Sequence, residues 1–127
     1  MDTEAQKTRQ LAVAAEALYL VNLMLLPGVA FTALLALYLV FFDKAQPLAR
    51  NHLAQTLGVS LVGGSLIVFV GLLYWIMGDF GPYGWVWAVF YFTLVHSSLI
   101  FMGVFGLIKA MNDEHFVYPL IGRFFHS

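Results

Sequence analysis

The feature that most constrains this chain is a long apolar run, residues 11–42, that is broken at Pro27-Gly28. As one helix this run would be about 48 Å long, well beyond the roughly 30 Å of a bilayer's hydrocarbon layer. Proline lacks a backbone N–H and disfavours a helical conformation in the residue before it, whereas glycine can turn sharply. The sequence therefore predicts two short helices that form a hairpin at this point.

The positions of the basic residues bear on how often the chain crosses a membrane. There are six of them: Lys7, Arg9, Lys44, Arg50, Lys109 and Arg123. If the chain turns back at Pro27, all six lie on one side of four membrane segments. These segments are residues 9–26, 28–42, 56–77 and 85–108. The positive-inside rule then predicts four segments with both termini in the cytoplasm; the alternative is three segments, with a kinked first span and the amino terminus outside.

The composition is that of an integral membrane protein. Of the 127 residues, 61% are hydrophobic and 10% are charged, whereas a soluble domain carries about 25% charged residues. We therefore expect one all-α domain over residues 1–127, a helical bundle in the lipid bilayer with an interfacial tail at residues 112–127. A net charge of −1 without a basic stripe argues against a nucleic-acid partner. The absence of cysteine excludes thiol catalysis and cysteine-ligated metal.

Two ionisable residues, Glu16 and His96, fall near the middle of predicted membrane segments. An isolated charge there is costly, so such residues face protein and find partners. We hypothesise that Glu16 and His96 meet inside the bundle, with Asn22 nearby as a further hydrogen-bonding group. The functional interpretation is a proton or ion relay, or a polar substrate pocket; the structural interpretation is a hydrogen bond that fixes helix register.

Cofactor chemistry finds little support in the sequence. A haem held between helices needs two ligands at similar depth, and no histidine or methionine matches His96 in this way. There is no HExxH motif or clustered set of carboxylates. We therefore expect no cofactor, no metal site and no catalytic residues.

Two further groups of residues are candidate contact surfaces. Small residues on the third segment form a face suited to tight helix packing: Ser60, Gly64, Gly71 and Gly78. A cytoplasmic rim of polar residues suits lipid headgroups or a partner protein, or ordinary anchoring and capping: Arg50, His52, Gln55, Tyr118 and Arg123.

Several motifs resemble those of a large family of small bacterial membrane proteins of unknown function, which is distantly similar to the Tic-twenty-like component of the chloroplast inner-envelope translocon. The motifs are the Pro27-Gly28 break, the stretch His52-Leu53-Ala54-Gln55-Thr56-Leu57, and the closing stretch Tyr118-Pro119-Leu120-Ile121-Gly122-Arg123-Phe124 after Lys109-Ala110. The chain departs from the family in having Gly58, Val59 and Ser60 where asparagine, phenylalanine and glutamine are usual. The resemblance implies a multi-helix protein of the bacterial inner membrane and does not imply an enzyme.

These observations predict a non-enzymatic accessory, assembly or scaffold subunit of a larger membrane complex. It would act through helix–helix and cytoplasmic-rim contacts, with a membrane protein or a second copy of itself as partner. The alternatives are a transporter or channel component that uses Glu16 and His96, and a haem-carrying redox anchor.

Overall fold

A computed structural model describes residues 3–78 and 81–125. It contains four α-helices, which we number α1 to α4, and two short 3-10 turns. The α-helices are α1 (Thr3–Met24), α2 (Val29–Phe41), α3 (Pro47–Met77) and α4 (Pro82–Met111), and the turns are Phe42–Lys44 and Gly122–Phe124. No strand occurs within the described ranges, so the all-α prediction is confirmed. The centre of the predicted outer loop and the last two residues of the predicted tail lie outside the described residues.

The predicted break at Pro27-Gly28 is confirmed, because α1 ends at Met24 and α2 begins at Val29. Gly28 has φ 87°, a left-handed conformation that favours glycine. Its N–H donates to Asn22 Oδ1 at 2.8 Å, and its carbonyl accepts from the Thr32 hydroxyl at 2.8 Å. Asn22 therefore provides a partner for the Gly28 N–H, a group that would be costly to leave unpaired in lipid.

Helix α1 lies centrally and contacts the other three helices. One buried cluster joins its Ala15 to Leu34 of α2 and to Leu53 of α3. A second cluster joins Tyr19 to Leu99 of α4. The start of α1 lies beside the end of α4, because Arg9 binds Asp113, just after that helix. The hairpin thus brings its two ends back to the same end of the bundle.

Close approach between α1 and α4 depends on two glycines. A Cβ on Gly103 would lie 2.7 Å from Leu20 Cδ2, and one on Gly106 would meet the Glu16 carboxyl. By contrast, a Cβ on Gly64, Gly71 or Gly78 would meet nothing within 4 Å. The three glycines of the predicted small-residue face therefore do not pack against another part of this chain, whereas the Ser60 hydroxyl is buried. Contact of this face with a partner stays a prediction.

Only α3 and α4 are long and apolar enough, among the described residues, to cross a membrane. Helix α2 has 13 residues, about 20 Å of helix against about 30 Å of hydrocarbon. Four full spans are therefore not supported. Pro27 and Gly28, at the tip of the hairpin, line the same cavity as Phe92 and His96 of α4. Residues 82–91 of α4 therefore extend about 15 Å beyond the hairpin tip.

The two sets of glycines make a direct test of this packing. We expect Gly103→Ala to destabilise the protein by about 1–3 kcal/mol, because Tyr19 is held by its own hydrogen bond to Leu99 and cannot yield. Gly71→Ala should be neutral or stabilising by up to about 1 kcal/mol, since alanine is the better helix former. Thermal unfolding in detergent, followed by circular dichroism, measures both; equal losses would contradict this packing.

Candidate functional site: a buried polar network beneath the carboxy-terminal tail

The centre of the site is the Glu16 carboxyl, which is 0% exposed. Its Oε2 lies 2.5 Å from His52 Nδ1 of α3. Its Oε1 accepts a hydrogen bond from the Tyr118 hydroxyl at 2.5 Å. Gly106 of α4 provides the space that the carboxyl fills. One side chain therefore joins α1, α3, α4 and the tail.

The partners of His52 fix the number of protons in this network. Its Nε2 lies 2.8 Å from the backbone carbonyl of Glu114, which can only accept, so Nε2 carries a hydrogen. One further proton lies between Nδ1 and the Glu16 carboxyl. With that proton on either atom the pair carries no net charge, so the network avoids an uncompensated buried charge.

Tyr118 contributes the hydrogen bond from the tail. Burial, together with the neighbouring Glu16 carboxyl, raises the pKa of the Tyr118 phenol, which keeps the hydroxyl protonated as a donor. Its ring meets the ring of Tyr19 edge-on, with centroids 5.3 Å apart. The Tyr19 hydroxyl in turn donates to the Leu99 carbonyl at 2.9 Å. Tyr118 and Tyr19 thereby connect the network to the apolar cluster that contains Leu99.

Two amides on α3 bind the backbone of the tail. Asn51 accepts from Phe116 N–H at 2.8 Å and donates to the Phe116 carbonyl at 3.0 Å. Gln55 accepts from Tyr118 N–H at 3.0 Å and donates to the carbonyls of Gly122 and Phe125 at 2.8 and 2.6 Å. The amides thus replace the hydrogen bonds that an extended tail cannot make with itself.

Charged groups at the rim hold the linker that leads into the tail. Arg9 makes two hydrogen bonds to the Asp113 carboxyl, at 2.9 and 2.6 Å. The pairing with Arg9 lowers the pKa of this carboxyl. Lys109 pairs with Glu114 at 2.8 Å. Because both pairs are solvent-exposed, we assign them a role in placing the linker and little stability.

The remaining predicted rim residues make separate contacts. The guanidinium of Arg50 lies 4.5 Å from the centroid of the Phe42 ring. That of Arg123 lies 5.1 Å from the Phe124 ring. The structure therefore brings His52, Gln55 and Tyr118 into one network and leaves the two arginines outside it.

The hypothesis that Glu16 meets His96 is wrong. Glu16 lies against Gly106, ten residues from His96 along α4, or about 15 Å. The His96 ring stacks instead on Phe92, with centroids 5.1 Å apart. It lines a cavity of about 750 Å³ together with Ser60 and Asn22. The predicted match in membrane depth between Glu16 and His96 is wrong because the α1–α2 hairpin does not extend as far as α3 and α4.

The sequence pattern places His52 and Gln55 at the rim but does not show that they bind the tail. The available signal was the spacing of Asn51, His52 and Gln55, which puts three polar side chains on one face of a helix. A polar face at the start of an apolar helix indicates that the helix binds another segment of the chain there, as well as that its end is capped. Among the described residues, no three histidine, aspartate or glutamate side chains gather as a metal site.

Substitution of the two histidines separates the observed network from the hypothesised one. We expect His52→Ala to cost about 3–5 kcal/mol of unfolding free energy, because it leaves the Glu16 carboxyl buried without its partner. His96→Ala removes a half-buried ring stacked on Phe92 and should cost about 1 kcal/mol. Unfolding in detergent measures both, and a larger loss in His96→Ala would refute the network.

Gln55→Glu tests how the tail is held, because it changes donors into acceptors without changing shape. The new carboxylate would face the carbonyls of Gly122 and Phe125. We expect amide hydrogen exchange across residues 116–125 to accelerate roughly tenfold or more. Gln10→Glu, at an exposed position on α1, serves as the control for added charge. Unchanged exchange in Gln55→Glu would mean that the tail is held by other contacts.

Comparison with known proteins identifies a family. The sequence model of the magnetosome magnetite crystal formation protein family matches residues 7–125. No curated protein and no solved structure matches this chain. The match confirms the resemblance to a family of small bacterial helical membrane proteins, while the link to the chloroplast translocon component stays a prediction. The matched region covers α2, α3, α4, the tail and most of α1, and the chain belongs to the magnetosome magnetite crystal formation protein family.

Proposed function

We propose that this chain is a non-enzymatic scaffold or accessory subunit of the magnetosome membrane, which takes part in magnetite crystal formation through contacts with other membrane proteins. The observation that carries this proposal is that the buried polar groups are used to fasten the tail to the bundle. A structural network of this kind builds a fixed surface, which is what a scaffold needs.

The state of Glu16 favours a structural role over a chemical one. A carboxylate that moves protons or binds a transported ion needs access to water or substrate. Both oxygens of Glu16 are hydrogen-bonded and the side chain is 0% exposed. The transporter alternative also needs His96 nearby, and the two residues are separated along α4. The haem alternative lacks a second ligand facing His96 in the described cavity lining.

The surface of α3 and α4 supports contact with lipid and with a partner helix. Large apolar side chains at the far end of both helices are exposed, including Trp75, Met77 and Tyr83. Within this apolar surface, Gly64 and Gly71 lie under open space. Small residues let another helix approach closely in a membrane. A helix of a partner protein, or of a second copy of this chain, fits the space over these two glycines.

The arrangement of charge supports a multi-pass topology with both termini on the cytoplasmic side. Lys7 of α1 and Lys44 after α2 line one cavity. Arg9 and Lys109 pair with Asp113 and Glu114 of the linker after α4. The cations at this end suit the cytoplasmic face under the positive-inside rule. The α1–α2 hairpin would enter the bilayer from that face and return to it.

The proposal is tested by filling the open space over Gly64 and Gly71 of α3 with larger side chains. In a magnetite-forming bacterium whose own copy of this gene is deleted, wild-type protein should restore crystal size, as seen by electron microscopy. Gly64→Leu/Gly71→Leu should fail to do so and should lose partners in cross-linking and mass spectrometry of magnetosome membranes. A Cβ at either position meets nothing within 4 Å, so we expect the variant to fold, which thermal unfolding in detergent checks.

Ala36→Leu provides the control, because it adds the same side chain at an exposed position of α2. It should restore crystals as wild type does. Normal crystals and no cross-linked partner in both variants would contradict the scaffold proposal. Solute flux through liposomes that contain the wild-type chain alone would favour the transporter alternative.

A further inference from the structure

Within the described part of the chain, two of the six basic residues lack the ion pairs and ring contacts that the other four make. Arg9 and Lys109 form ion pairs with carboxylates, and Arg50 and Arg123 lie over aromatic rings. Lys7 and Lys44 have no ion pair or ring contact with any residue that the structure describes. These two ammonium groups come from different elements, yet both line one cavity of about 400 Å³.

The lining of this cavity combines cationic, polar and apolar groups. It lies between the start of α1 and the link from α2 to α3. Its polar members besides the lysines are Glu4, Thr8, Gln10 and Gln46, and its apolar members are Leu11, Phe41, Ala45 and Ala49. Two ammonium groups face one carboxylate, that of Glu4, so the cavity favours an anion. Asp43 is adjacent to Lys44 in sequence but does not line the cavity.

The surroundings of the cavity indicate an anion that is attached to an apolar group. Phe41, which lines the cavity, is 42% exposed, and Leu39 and Val40, the two residues before it on α2, are 71% and 56% exposed. In the membrane placement proposed above, these side chains face lipid at the cytoplasmic end of the bundle. A ligand here can place its anionic head beside Lys7 and Lys44 and its apolar part along α2. Basic pockets between helices at this level bind anionic lipid headgroups.

We propose that this cavity is a binding site for the phosphate headgroup of an anionic phospholipid, held by Lys7 and Lys44 and by the amide side chains of Gln10 and Gln46. The inference goes beyond the scaffold role and rests only on the membrane placement of this end of the bundle. Binding would fix α1 to the α2–α3 link and would fasten the hairpin to the cytoplasmic leaflet.

The test uses the purified full chain in a mild detergent, with bound lipid counted by native mass spectrometry. The probes are dihexanoyl phosphatidylglycerol, the zwitterionic dihexanoyl phosphatidylcholine and inorganic phosphate. We expect one phosphatidylglycerol per chain, bound roughly tenfold more tightly than phosphatidylcholine, and a roughly tenfold weaker Kd in Lys7→Gln/Lys44→Gln. Inorganic phosphate at equal concentration should not displace the lipid.

The matched control is Lys109→Gln/Arg123→Gln, which removes the same charge from the same end but outside the cavity. It should keep wild-type binding of phosphatidylglycerol. An equal loss in the control would overturn the site in favour of general surface charge. Displacement by inorganic phosphate would overturn the lipid assignment in favour of a free-anion site, and equal binding of both lipids would overturn both. None of these outcomes depends on magnetite crystals, so this inference and the scaffold role fail separately.

Discussion

The rest of this structure depends on the burial of the Glu16 carboxyl. A carboxyl removed from water needs a hydrogen-bond partner for each oxygen and a proton or cation nearby. His52 and Tyr118 meet that need from two different parts of the chain, and Gly106 leaves the space for it. Because the same His52 ring also binds the Glu114 carbonyl, the requirement of one side chain sets the positions of α1, α3, α4 and the tail relative to one another.

The second constraint is the length of the first two helices. The turn between them is closed by Asn22 and Thr32, which bond the Gly28 backbone, so both polar backbone groups of Gly28 have partners, as lipid surroundings would require. Yet α2 is too short to cross a bilayer in full, and the tip of the hairpin lies beside His96 rather than at the far end of α4. A short hairpin packed against two long helices leaves the outer part of those helices beyond the reach of the hairpin.

The sequence was sufficient to predict the helices and the hairpin turn, but it was not sufficient to predict which side chains contact one another. Proline and glycine marked the hairpin turn, and proline opens both long helices, at Pro47 and Pro82. Depths along the chain do not identify the partner of Glu16, because α2 is too short to cross a bilayer in full and residues of equal predicted depth are therefore not neighbours. The tail was predicted to be interfacial, but its binding by Asn51 and Gln55 depends on the backbone course of residues 116–125, which composition does not specify. Gly64 and Gly71 lie under open space and illustrate the same point, since the spacing of small residues identifies a packing face but does not say what covers it.

The central claim, that Glu16 and His52 act as one buried unit, is tested most directly by a double-mutant cycle. Glu16→Leu, His52→Leu and the double variant are compared with wild type by reversible unfolding in detergent. We predict a coupling energy of at least about 2 kcal/mol, with the double variant less destabilised than the sum of the single variants, because removing both partners leaves no unpaired buried group. A coupling energy near zero for this pair, or a larger one between Glu16→Leu and His96→Leu, would contradict the account.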